Sequence, residues 1–249
     1  MQRMPNINLT SAEYQTMLDY CRYQTGGEGI LFKGMRPDTL YKIFVDYETT
    51  TPIGLSDNKF NKVLAMYENP LEDSVQPLST ISIDGNLVGY EMTFDEQDTT
   101  LDQMFLTRKQ LIDALKGTSR ILQYYARNDI TYGDVKSNNI LINRKTKRTK
   151  FCDMDNVRYG QYPIDLITDH IESMLAPEQD IDERVDAYMH NLMTIQMLNA
   201  PQLDYDQILY QLSEGKFRKS YKKEASEALA TMASPKPFNG EYIIQYVKK

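Results

Sequence analysis

The apolar residues of this chain change their spacing near residue 100, and this change limits the possible folds more than any other feature of the sequence. Before that point, short β-prone runs alternate with turn-forming residues. The clearest example joins the runs 78–83 and 87–94 through an Asp-Gly-Asn turn at 84–86, because Asp-Gly between alternating apolar runs favours a tight hairpin. From Leu101 onward, apolar residues recur at intervals of three and four, as in a helix with one buried face. The sequence therefore predicts an α+β fold in which a sheet-rich part precedes a helix-rich part.

The same patterns predict several further elements. In chain order they are a hairpin of residues 29–33 and 40–45, a helix over 56–68, a pair of strands over 139–142 and 150–153, and a buried helix over 185–198. Ser56 or Asp57 is expected to cap the first of these helices. We expect one domain with two unequal lobes: a small β-rich lobe with one helix over residues 1–92, and a larger helical lobe over 93–249.

Composition excludes several classes of function. The 249 residues include 35 acidic and 28 basic side chains, a net charge of −7, which argues against broad nucleic-acid binding because that binding depends on basic surface. No run approaches the roughly 20 apolar residues of a membrane span, and the first residues lack the apolar run of a secretory signal. Two cysteines cannot form a disulfide framework. We therefore expect a cytoplasmic protein that binds neither nucleic acid nor membrane.

Four polar residues flank two predicted strands of the second half. Asp134, Lys136 and Asn139 lie within six residues, directly before an apolar strand, and Asp153 ends the partner strand of the same hairpin. These side chains are expected to project from one rim. A carboxylate and an amide oxygen suit a hard cation such as Mg²⁺, which prefers oxygen ligands. Asp134 would then lie beside the metal, free to accept a proton, with Lys136 supplying positive charge. The arrangement favours phosphoryl transfer, in which catalysis is mostly positioning and charge neutralisation.

Residues 132–142 resemble the catalytic loop H-R-D-L-K-x-x-N of protein kinases, and Asp153 takes the place of the Asp of the D-F-G motif that follows it. The resemblance implies that Asp134 is the catalytic base and Lys136 the lysine typical of serine/threonine kinases. It also implies that Asn139 and Asp153 are the two Mg²⁺ ligands. Downstream, Ala-Pro-Glu at 176–178 matches the A-P-E motif, and Asp186 matches a buried aspartate that opens the next helix.

Weaker matches lie upstream, in the predicted small lobe. Lys42 matches the strand lysine that holds the ATP phosphates, and Gly27 and Gly29 begin a G-x-G-x-x-G loop. Glu91 and Met92 occupy the place of the hinge that receives adenine. The resemblance spans residues 24–198 and implies a two-lobed protein-kinase-like fold with ATP and Mg²⁺ bound between the lobes.

The chain departs from the kinase pattern at several positions. Tyr132 and Gly133 stand in place of the His and Arg before the catalytic aspartate, and Phe32 stands in place of the third loop glycine. Asn61 aligns with the helix glutamate that should pair with the strand lysine, and Glu68, two turns further on, is a looser candidate for that glutamate. Beyond residue 201 the pattern fades, so the C-terminal part is expected to be reduced or rearranged.

The resemblance implies transfer of the γ-phosphoryl group of ATP to a serine or threonine hydroxyl of a protein. Lys136 and the 176–178 motif favour a protein over a small-molecule acceptor. Three alternatives stay open: a kinase-fold enzyme that phosphorylates a small molecule, a pseudokinase that serves as a binding scaffold, and an enzyme that transfers an adenylyl group.

Overall fold

A six-stranded sheet forms the first part of the chain, in the order β1-β5-β6-β4-β3-β2. Its strands are β1 (Asn6–Leu9), β2 (Arg22–Thr25), β3 (Gly29–Lys33), β4 (Thr39–Phe44), β5 (Pro77–Ile83) and β6 (Asn86–Thr93). The edge strand β1 pairs in parallel with β5, and the other neighbours are antiparallel. Two helices accompany the sheet, α1 (Ser11–Tyr20) and α2 (Asp57–Glu68).

The computed structural model describes residues 4–25, 28–164, 181–232 and 240–247. The chain divides into two compact units, Met1–Asp98 and Thr99–Lys249. The division predicted from the sequence lay at residue 92. The first unit holds the large sheet and the second is mainly helical, so the predicted α+β class is confirmed.

The local predictions for the first unit are confirmed. β3 pairs with β4, and β5 with β6, as the two expected hairpins. Asp84 and Gly85 have φ angles of 47° and 84°, the left-handed values that a two-residue hairpin turn requires at both central positions. The Ser56 side chain accepts a hydrogen bond from the backbone N–H of Lys59, which caps α2.

Phe32 is a core residue of the sheet, and this explains its departure from the glycine pattern. Its side chain is fully buried with Ile30, Ile43 and Ile81. Its ring meets that of Tyr14, on α1, edge to face with 5.9 Å between the centroids. A glycine at this position would remove an aromatic side chain from the centre of the core, at a cost of about 3–5 kcal/mol.

The second unit is built on two long helices, α3 (Arg108–Arg127) and α4 (Glu183–Asn199). Leu115 and Leu122 of α3 and Leu192 and Ile195 of α4 are almost completely buried, as the predicted helical periodicity requires. Two small sheets, ordered β10-β9-β7 and β11-β8, complete the unit. Their strands are β7 (Asp98–Thr100), β8 (Ile130–Thr131), β9 (Ile140–Asn143), β10 (Thr149–Phe151) and β11 (Arg158–Tyr159).

Short helices follow α4, namely α5 (Tyr205–Ser213) and α6 (Ser226–Met232). The Asn191 side chain of α4 binds the segment 240–247 at two points: Nδ2 donates to the carbonyl of Glu241 at 2.6 Å, and Oδ1 accepts from the N–H of Ile243 at 2.9 Å. A buried amide thus connects this segment to the centre of the unit. Across the described ranges, no helix combines the length and the apolar character that crossing a bilayer demands.

Candidate active site

The hairpin of β9 and β10 brings Asn139 and Asp153 to the same end of its ladder. The last pair of the ladder is Ile140 with Phe151, so Asn139 directly precedes β9 and Cys152 directly follows β10. The N–H of Cys152 donates to the carbonyl of Asn139 at 3.1 Å, and Asp153 is the next residue. Asp153 has φ 59° and ψ 47°, a left-handed conformation in which Asp is among the more frequent residues. Both predicted metal ligands therefore leave the ladder at one end, as the strand pattern predicted.

Asp134 receives two hydrogen bonds on one carboxylate oxygen. Lys136 Nζ donates to Oδ2 at 2.7 Å, and Asn139 Nδ2 donates to the same oxygen at 2.8 Å. Asn139 Nδ2 also lies 3.1 Å from the carbonyl oxygen of Asp134. Because both donors contact Oδ2, the other oxygen, Oδ1, is left to accept from an incoming group. The carboxylate is 19% exposed, so a ligand can reach it while its position is held by two neighbours.

The backbone before Asp134 is held by the buried carboxylate of Asp186. The N–H groups of Tyr132 and Gly133 donate to its two oxygens, each at 2.7 Å. Asp186 lies in the first turn of α4 and is 1% exposed. Its burial raises its pKa from 3.8 to about 7, although the two backbone hydrogen bonds oppose that shift.

Gly133 cannot be replaced by a larger residue without movement of its surroundings. Its φ angle is 80°, and a Cβ atom there would lie 2.5 Å from Cδ1 of Ile164. An arginine at this position, as in the kinase motif, would be strained by the positive φ angle, and the end of the Ile164 side chain would have to move. The departure from the kinase pattern at Gly133 therefore has a local reason in the backbone conformation.

Tyr132 connects the loop of Asp134 to the end of β10. Its hydroxyl donates to the carbonyl of Cys152, the residue before Asp153. Its ring packs on Phe151 with 4.5 Å between the centroids, and the side chain is buried. Burial raises the pKa of the Tyr132 hydroxyl well above its ordinary value, so the group is a donor at neutral pH. This role was not predicted from the sequence, because the partner lies 20 residues away.

The chemistry of Asn139 and Asp153 fits a magnesium ion. Because the amide nitrogen of Asn139 is engaged by Asp134, the amide oxygen is the atom that can face a cation. An amide oxygen and a carboxylate are ligands that Mg²⁺ accepts, with water or phosphate oxygens completing its shell. Within the described ranges, no group of three or more His, Cys, Asp and Glu side chains forms an all-protein metal site. Mg²⁺ does not need one, since it is commonly held by one or two carboxylates together with substrate phosphates.

Lys42 lies on β4 with its side chain buried, and its Nζ is 5.1 Å from the centroid of the Phe44 ring. Gly29 is the first residue of β3, where a Cβ atom would lie 2.6 Å from the carbonyl oxygen of Ile43, so close strand packing accounts for this glycine. Gly27 and the 176–178 motif lie outside the described residues.

Glu91 and Met92, the predicted adenine contacts, lie inside β6. Met92 pairs with a residue of β4 on one side and of β5 on the other, so both residues belong to the interior of the sheet. The Glu91 carboxylate is fully buried, forms an ion pair with Arg36 and accepts from the Ser79 hydroxyl at 2.9 Å. The side chain of Glu91 is therefore occupied by the sheet itself, and contact of these residues with adenine stays a prediction.

An ion pair joins Glu28 to Lys59 and was not predicted from the sequence. Lys59 Nζ lies 2.8 Å from Glu28 Oε2 and 4.4 Å from the centroid of the Phe44 ring. A pair separated by 31 residues leaves no local pattern, and no rule of helix or strand spacing finds it.

Comparison with protein families and with curated sequences identified no relative of this chain. No protein-family model matches the chain, and a comparison with curated protein sequences likewise finds no match. The resemblance to protein kinases therefore rests on the motif residues themselves.

Proposed function

We propose that this protein is an ATP- and Mg²⁺-dependent phosphotransferase with a two-lobed protein-kinase-like fold, which phosphorylates serine or threonine residues of a protein. The observation that carries the proposal is the arrangement at Asp134, where Lys136 and Asn139 both donate to Oδ2 and Oδ1 is left to accept. A carboxylate held in this way is positioned to orient a hydroxyl group.

The proposed reaction uses this geometry directly. The substrate hydroxyl donates to Oδ1 of Asp134, which points the hydroxyl oxygen at the γ-phosphorus and takes its proton as the new P–O bond forms. The bond from the γ-phosphorus to the β–γ bridging oxygen breaks in the same step, and ADP leaves. Lys136, at 2.7 Å from Oδ2, keeps the carboxylate in place and adds positive charge close to the phosphoryl group. Lys42 is proposed to bind the α- and β-phosphates. When bound through Asn139 and Asp153, Mg²⁺ would supply charge neutralisation for the phosphate oxygens.

Two buried contacts hold the loop that carries Asp134. Asp186 holds the backbone N–H groups of Tyr132 and Gly133, and the Tyr132 hydroxyl holds the carbonyl of Cys152. Because Cys152 directly precedes Asp153, the base and one metal ligand are fixed relative to one another through a single side chain. Such support favours an active site that is already formed before substrate binds.

The test is phosphoryl transfer by the full-length protein, measured with labelled ATP, Mg²⁺ and a panel of acceptor proteins, with intact mass identifying the group transferred. We expect Asp134→Asn to lower kcat by roughly 10²–10⁴-fold, the usual contribution of a general base, with unchanged ATP affinity. Asp113→Asn, at an exposed position of α3, is the matched control and should leave kcat unchanged.

Each alternative gives a different result in this test. ATP binding without transfer to any acceptor would indicate a pseudokinase, and a product carrying the adenylyl group would indicate the other transfer reaction. Phosphoryl transfer only to small hydroxylated molecules would indicate a small-molecule substrate in place of a protein. Undiminished transfer by Asp134→Asn would refute the assignment of the base.

A further inference from the structure

Two lysine side chains of the first unit share one aromatic ring. Lys42 Nζ, from β4, lies 5.1 Å from the centroid of Phe44, and Lys59 Nζ, from the first turns of α2, lies 4.4 Å from the same centroid. Both side chains are largely removed from solvent, since Lys42 is 7% exposed and the Lys59 side chain 12%. A strand and a helix thus bring two ammonium groups to one site.

The site has the chemistry of an anion-binding site. The face of an aromatic ring attracts cations within about 6 Å, so Phe44 stabilises both ammonium groups where they stand. Two positive charges that share one aromatic ring and are shielded from water create a local potential that favours a multiply charged anion. Glu28 Oε2, at 2.8 Å from Lys59 Nζ, shows that an anionic oxygen already reaches this site from the residue before β3.

We propose that Lys59 acts with Lys42 to bind the phosphate chain of the nucleotide, and that Glu28 occupies Lys59 until a phosphate oxygen replaces it. This inference rests on the proposed function and extends it to a residue that the kinase motif does not include. Carboxylate and phosphate oxygens both accept charge-assisted hydrogen bonds from an ammonium group. Lys59 is therefore paired with Glu28 in the nucleotide-free protein and with a phosphate oxygen in the nucleotide-bound protein.

The helix α2 supplies this lysine two residues before the position at which the kinase pattern expects an acid. The position aligned with the helix glutamate is Asn61, which carries no charge. In the ion pair of Lys59 with Glu28, the helix provides the cation and the chain before β3 provides the carboxylate. Position 61 holds no glutamate, and Lys59 of α2 adds its positive charge to the charge that Lys42 of β4 offers to phosphate.

Calorimetric titration of the full-length protein tests the inference, with MgATP and adenosine as the two ligands. Lys59→Met should raise the Kd for ATP roughly 10- to 100-fold, the range for one lost hydrogen bond to a charged group, and leave the Kd for adenosine unchanged. Glu28→Gln should lower the Kd for ATP, because the competing carboxylate is gone. Lys33→Met, at the exposed end of β3, is the control and should bind both ligands as the wild type does.

The opposite signs of the two variants separate ligand binding from a structural role. If the ion pair only fastens Glu28 to α2, both variants will weaken ATP and adenosine binding together, and the inference is overturned. Should Lys59→Met fail to fold, Lys59→Arg must keep ATP binding and Glu28→Gln must still strengthen it. Binding that depends on Lys59 without phosphoryl transfer would refute the proposed function alone. If the protein transfers the phosphoryl group but Lys59→Met leaves its Kd for ATP unchanged, this inference alone is refuted.

Discussion

Asp186 provides a prediction whose size can be worked out from its surroundings. Its carboxyl group is buried, and its pKa of about 7 lies well above the ordinary value of 3.8. The folded protein therefore binds the Asp186 proton more tightly than the unfolded chain does. The stability that this proton binding provides is fully present below pH 3.8 and is lost as the pH rises to about 7.

We expect Asp186→Asn to remove this pH dependence. Between pH 5 and pH 8 the wild type should lose about 2–3 kcal/mol of unfolding free energy at this one site, because each pKa unit corresponds to about 1.4 kcal/mol. The asparagine variant carries no proton to lose. Its amide nitrogen, however, must face either the Tyr132 or the Gly133 N–H, which leaves one buried donor unsatisfied at a cost of about 1–3 kcal/mol.

The measurement is urea unfolding of both proteins at pH 5, 6, 7 and 8. The unfolding free energy of the wild type should fall by about 2–3 kcal/mol relative to that of the variant between pH 5 and pH 8, because only the wild type releases the Asp186 proton over this range. Every other titrating group is common to both proteins, so the difference isolates Asp186. A constant difference across the range would mean that the carboxylate stays ionised throughout, and that the two backbone hydrogen bonds outweigh the cost of its burial.

Two further predictions concern the same loop. Tyr132→Phe removes the hydroxyl that donates to the Cys152 carbonyl, so we expect the free energy of unfolding in urea to fall by about 1 kcal/mol. We also expect a reduced kcat with unchanged ATP affinity. An unchanged kcat would show that this contact does not position the site. Gly133→Ala should cost about 2 kcal/mol, because a left-handed residue is strained and the end of the Ile164 side chain must also move. Gly160→Ala, with φ 54° and nothing within 4 Å of the added Cβ, should cost about 1 kcal/mol. Equal losses in thermal unfolding would contradict the steric argument.

The parts of the fold that were predictable are those whose cause is local. The turn at Asp84 and Gly85 follows from two neighbouring residues that tolerate a positive φ, and the start of α2 follows from a serine that can cap its own helix. The hairpin ends at Asn139 and Asp153 were predictable for the same reason, because a short turn leaves only one way to pair the two runs.

The parts that were missed depend on partners far away in the chain. β1 pairs in parallel with β5, and a four-residue strand whose partner begins about 70 residues later has no turn to mark it. The ion pair of Glu28 with Lys59 and the bond from Tyr132 to Cys152 join residues on different elements. Position along the sequence carries no information on such contacts, because they exist only once the elements have packed.

The two carboxylates of the candidate site show how identical side chains come to have different roles. Asp134 and Asp186 each receive two hydrogen bonds, but the donors of Asp134 converge on one oxygen, whereas those of Asp186 occupy both. Asp134 is partly exposed, and its two donors leave Oδ1 to accept a hydrogen bond from an incoming group. Asp186 is buried and has both oxygens engaged, so it serves the site only through the backbone that it holds. Exposure and the distribution of donors, and not residue type, therefore make one aspartate the proposed base and the other its support.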